Sequence, residues 1–66
     1  MEITLNGEEM EVGPAKTVAG LLADLELEAQ KIAVERNLEI VPRSLYEQVT
    51  LEDGDRLEIV QFVGGG

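Results

Sequence analysis

Three consecutive glycines, Gly64-Gly65-Gly66, close a sequence that is otherwise patterned like a folded domain. Glycine offers no side chain to bury and loses more backbone entropy on ordering than any other residue, so these three cannot serve a core. What they offer is a slender chain carrying the α-carboxylate of Gly66. A carboxylate is a poor electrophile and needs activation. Attack on ATP gives an acyl-adenylate, from which a nucleophile displaces AMP. An enzyme that activates such a group must hold it in a confined pocket, and a chain without β-carbons suits that passage. Residues 63–66 could reach about 13 Å beyond the last strand. The expectation is a body over residues 1–63, a glycine tail over 64–66, and chemistry at Gly66.

Other chemistry is mostly excluded by composition. The chain has no His and no Cys, so imidazole bases, thiol nucleophiles and the usual nitrogen and sulfur metal ligands are missing. Ser44 is the only serine and has no triad partner. Lys16 and Lys31, the only lysines, lie in no apolar run that would lower their pKa. The glycines have no following helix to make a phosphate site. Glu8-Glu9 and the Asp53/Asp55 pair read as surface and turn residues. No catalytic residue is assigned. The chain reads as a carrier that enzymes act upon, with no bound cofactor.

Fourteen acids against five bases give a net charge of −9. That balance opposes nucleic acid and anionic membrane, and steers the chain toward partners with a basic surface; it also serves solubility. No apolar run approaches the ~20 residues that span a bilayer, and Met1-Glu2-Ile3 does not read as a signal peptide. With no Cys, the cytoplasm is the expected compartment. Sixty-six residues make one small domain.

The elements that must position the tail follow from periodicity. Ile3 and Leu5 alternate with Glu2 and Thr4, Asn6-Gly7 predicts a two-residue hairpin turn, and Met10 and Val12 mark the returning strand. Thr17 is a helix N-cap, and Val18, Leu21, Leu22 and Leu25 share one helical face ending near Leu25 to Leu27. Gly20 costs helix propensity and marks close packing. Ile32-Ala33-Val34 is a short buried strand, Asn37 a turn, and Ile40-Val41 a second short strand stopped by Pro42. Tyr46 and Val49 pack back from an irregular stretch. Asp53-Gly54-Asp55 turns the chain into the final strand, residues 56–62. The order β-β-α-β-β-β with one helix is an α+β layout on a mainly antiparallel sheet.

In that last strand, Leu57 and Ile59 facing inward would send Glu58, Val60 and Phe62 to the opposite face. Val60, Phe62 and Val63 at the root of the tail are therefore candidate docking contacts. The pattern leaves open whether Phe62 does this or folds over the sheet edge as core.

Taken together, the residues resemble the ThiS family of sulfur carriers in thiamine biosynthesis, which have a ubiquitin-like β-grasp fold. The resemblance rests on Asn6-Gly7, Thr17, Val34-Glu35-Arg36-Asn37, Ile40-Val41-Pro42-Arg43, Asp53-Gly54-Asp55 and the run from Arg56 into Val63-Gly64-Gly65-Gly66. It implies that a ThiF-type enzyme adenylates the tail with ATP and Mg²⁺. A sulfur donor enzyme then supplies sulfur for a thiocarboxylate, and thiazole synthase collects it. Carried over, Gly66 is the acceptor and Gly65 the penultimate glycine, with Gly64 additional to a strict diglycine. Gln61 and Tyr46 stand where His and Trp are often expected. The small subunit of molybdopterin synthase and other sulfur carriers share this chemistry. A ubiquitin-like protein modifier and a plain β-grasp interaction domain are alternatives of other classes. The free carrier is expected to be a monomer.

Overall fold

The computed structural model describes residues 1–62. Six regular elements follow one another: β1 (Glu2–Leu5), β2 (Glu8–Glu11), α1 (Val18–Asp24), β3 (Ile32–Arg36), β4 (Glu39–Val41) and β5 (Arg56–Gln61). Single 3₁₀ turns over Ala29–Lys31 and Arg43–Leu45 complete them. The five strands form one sheet in the order β2-β1-β5-β3-β4. Only β1 and β5 run parallel; the other pairs are antiparallel.

Both hairpins turn on two residues at positive φ. Asn6 and Gly7 lie at φ 50° and 84°, Asn37 and Leu38 at 51° and 72°. These signs suit a type I′ turn, whose twist matches that of the flanking strands. Leu38 is a costly residue there, because a β-carbon crowds the left-handed region.

Helix α1 starts as expected. Thr17 is extended, and its hydroxyl accepts a hydrogen bond from Gly20 N at 3.0 Å. A β-carbon at Gly20 would sit 3.0 Å from Lys16 Cδ, so the glycine makes room for the Lys16 stem. That stem carries its ammonium to Asp24, 2.6 Å away. At the other end Glu26 takes φ 58° while Leu27 N bonds Leu22 O and Glu26 N bonds Ala23 O. This is a Schellman stop built on glutamate, and it turns Leu27 back to pack on the core.

The helix covers one face of the sheet. Ile3, Leu57, Ile32 and Val34 from the strands meet Val18 and Leu21 from the helix, all essentially inaccessible to solvent. Tyr46 and Leu51 close the core from the loop before β5, and that loop is tied to the helix side by Ala19 N to Tyr46 O and Leu51 N to Lys16 O, each 2.8 Å. Burying one such leucine contributes about 1.5–3 kcal/mol. A domain this small has a net stability of only about 3–10 kcal/mol, so each core residue matters.

Candidate functional site

The path toward the tail is built along β5, the central strand. Its parallel ladder with β1 begins with Thr4 N to Asp55 O and Asn6 N to Leu57 O, both 2.9 Å. The main chain of β1 then leaves into the hairpin turn. The side chain of Asn6 continues the ladder in its place: Oδ1 accepts from Ile59 N at 2.8 Å and Nδ2 donates to Ile59 O at 3.3 Å. A carboxamide carries one acceptor and one donor arm, so it can pair with a peptide as a strand would. On the other side β3 pairs in register as far as Ile32 with Gln61, and Phe62 N donates to Lys31 O at 2.9 Å. The strand is thus held from both sides as far as Ile59, and from the β3 side alone up to Phe62.

The start of β5 is fixed by a buried acid. Asp55 is 5% exposed. Its carboxylate accepts from Arg36 Nε at 2.8 Å, Glu52 N at 2.8 Å and Asn37 Nδ2 at 3.1 Å. Asn37 Oδ1 in turn accepts from Arg56 N at 3.0 Å. Burial pushes the Asp55 carboxyl upward, but the Arg36 guanidinium, the Glu52 amide and the Asn37 amide outweigh it and hold the group below its ordinary value. The bond to Asp55 raises the Arg36 guanidinium above its own ordinary value. This network joins the β3–β4 turn to the turn ahead of β5.

Along β5 the alternation runs as the sequence predicts. Leu57 is buried and Ile59 packs against the core, while Val60 is 59% and Phe62 56% exposed. The question left open for Phe62 is answered: it stands on the helix-free side and is not core. Val63, Gly64, Gly65 and Gly66 lie outside the described residues. Three contributors carry no sequence signal of their role. Asn6 and Asp55 look only like turn residues, and Ile40 looks like part of a short strand, with nothing in the pattern to say that it is two-thirds exposed on the open face. Its pairing partner across β3, Glu35, places it there. Among the described residues no group of three His, Cys, Asp or Glu side chains could hold a metal ion, and no helix is long and apolar enough to cross a membrane.

One short helix on a five-stranded mixed sheet, with the final strand central, defines a ubiquitin-like β-grasp domain. The crystal structure of a thiamine biosynthesis protein (ThiS) from Geobacter metallireducens superposes with a TM-score of 0.83 at 36% identity, and each chain covers the other completely. The sulfur carrier protein ThiS of Bacillus subtilis is 43% identical over 65 residues, 97% of this chain and 98% of that one. A thiazole synthase of Paramagnetospirillum magneticum is 54% identical over all 66 residues, yet the chain spans only about a fifth (20%) of that protein's length. The model of the ThiS family matches residues 2–66. The chain belongs to the ThiS family.

Proposed function

We propose that this chain is a sulfur carrier of thiamine biosynthesis and works as a co-substrate of enzymes, supplying no catalytic residue itself. The observation that carries the reading is the end-to-end match to a sulfur carrier protein ThiS. The grip on β5 supports it, because a carrier must hand a fixed strand to its partner and leave only the tail to thread.

In this reading the carboxylate of Gly66 is the reacting group. One of its oxygens attacks the α-phosphorus of ATP in a ThiF-type adenylating enzyme, where Mg²⁺ neutralises the phosphates. Pyrophosphate leaves and an acyl-adenylate forms. A sulfur nucleophile at the sulfide level, delivered by a sulfur donor enzyme, adds to the carbonyl carbon and expels AMP, leaving a thiocarboxylate. Thiazole synthase then draws the sulfur from it. Gly64, Gly65 and Gly66 enter the partner's active site, while Val60, Phe62 and Val63 dock outside it. Residues 1–63 form the body and 64–66 the tail. The free carrier is a cytoplasmic monomer.

Thiazole synthase is favoured as the acceptor because a segment like this chain occurs within a thiazole synthase. Joining two units in one polypeptide raises their effective concentration for each other, an arrangement that benefits units that act together. The test is intact-mass analysis after incubation with the activating enzyme, ATP, Mg²⁺ and a sulfur donor. Exchange of one oxygen for sulfur at Gly66 is expected. An unchanged mass with an activating enzyme proven on its own carrier would overturn the reading. A mass increase equal to a second protein would point to a modifier instead.

A further inference from the structure

The face of the sheet away from the helix carries an arrangement that folding alone does not explain. Glu35 of β3 stands directly opposite Glu58 of β5. Like charges so placed destabilise a sheet. Among the described residues neither carboxylate joins an ion pair; the five that exist involve other acids. The contrast with Glu2 and Glu11 is instructive. They also face each other across a strand pair, but Glu11 is met by the Met1 amino group at 3.2 Å. Glu35 is moreover half-buried, so part of its hydration is already lost.

Around this pair lies apolar surface. Val60 pairs with Ala33, and Ile40 pairs with Glu35. The small Ala33 side chain lets Ile40 and Val60 border one shallow groove with Glu35 and Glu58. Phe62 is also exposed, and the alternation of side chains two residues past Val60 sets it on the same face. The face therefore offers a greasy floor edged by two carboxylates that join no ion pair among the described residues. A lysine or arginine has the matching form, an aliphatic stem with a cationic head.

We infer that this groove docks a protein partner that presents an apolar patch and, beside it, an Arg or Lys whose head sits between Glu35 and Glu58. A second copy of the chain does not fit, since it would set acidic faces against each other. Nucleic acid and anionic lipid do not fit a chain of net charge −9. The inference rests on the carrier reading, and it adds the polar half of the docking contact to Val60 and Phe62.

Its signature is a trade between stability and binding. Thiazole synthase is the probe, titrated calorimetrically with the wild-type chain, with the double variant Glu35→Gln/Glu58→Gln, and with Glu47→Gln. Glu47 is an exposed acid in the loop that packs on the helix side, so it controls for bulk charge. The double variant is expected to melt higher than the wild type and to bind about tenfold or more weakly. Glu47→Gln is expected to bind within about twofold of the wild type. Wild-type affinity in the double variant would overturn the inference and leave the carrier reading standing. Equal losses in the double variant and Glu47→Gln would also overturn it, as a bulk charge effect. Failure of the wild type to bind would overturn the inference and the choice of thiazole synthase together. That result leaves the mass change at Gly66 to be judged separately.

Discussion

Asn6 holds the peptide of Ile59 by both of its polar groups, with Oδ1 at 2.8 Å from the amide nitrogen and Nδ2 at 3.3 Å from the carbonyl oxygen. The two residues are 53 positions apart, and their contact replaces the strand partner that β1 can no longer supply. The same residue makes the first hairpin turn, at φ 50°. One side chain thus serves the turn and the strand that leads to the tail.

Replacing Asn6 separates these two jobs. Asn6→Gly keeps the turn and loses both side-chain bonds, so it should cost about 1–2 kcal/mol in urea unfolding. Asn6→Ala should cost roughly 1 kcal/mol more, because alanine resists positive φ. Hydrogen exchange at the Ile59 amide should quicken in both. Unchanged protection there would show that Asn6 does not hold the strand.

Asp55 makes stability depend on acid. Its folded pKa lies below the unfolded value of about 4. Such a group contributes fully above the unfolded pKa, and the contribution disappears as pH falls through the folded pKa. The wild-type melting temperature should therefore hold near neutrality and decline below about pH 4. Asp55→Asn should cost about 2–3 kcal/mol near pH 7, since it leaves Arg36 and a backbone amide poorly matched. The gap between the two proteins should shrink on acidification. A gap that stays constant down to pH 2 would mean the carboxylate charge is not what matters.

The helix stop offers a gain. Glu26 occupies the left-handed position that glycine usually takes. Glu26→Gly should raise stability by about 0.5–1 kcal/mol, or about 4 °C in melting temperature for a domain of this size. A lower melting temperature would show that the glutamate side chain contributes something its exposed position does not suggest.

How much of this was readable in the sequence follows from the range of each signal. Asn6-Gly7, the Thr17 cap and the Leu21-Leu22 face are local patterns, and each took the form expected. The parallel pairing of β1 with β5 is not local, because it joins the two ends of the chain. Asp55 looked like a turn residue because its partner Arg36 lies 19 positions away. Leu51 sits in an irregular loop, without a periodic neighbourhood to announce its burial. Ile40 was hidden for a different reason: a period of two says that faces alternate, and only the register says which face is open.

The proposed docking residues should matter for partners and little for folding. Val60→Ser and Phe62→Ser change side chains already more than half exposed, so each should shift stability by no more than about 0.5 kcal/mol. Both should weaken association with thiazole synthase, read as a slower exchange of sulfur at limiting carrier with little change at saturation. A large loss of stability in Phe62→Ser would show that the ring belongs to the core after all.

The central claim is that Gly66 delivers sulfur to a thiazole. The direct measurement loads the chain with isotopically labelled sulfur at its terminal carbonyl, adds thiazole synthase and its substrates, and follows the label by mass spectrometry. Label should leave the chain and enter the thiazole ring, with the carrier returning to its plain carboxylate mass. Label that stays on the carrier while unlabelled thiazole accumulates would contradict the claim.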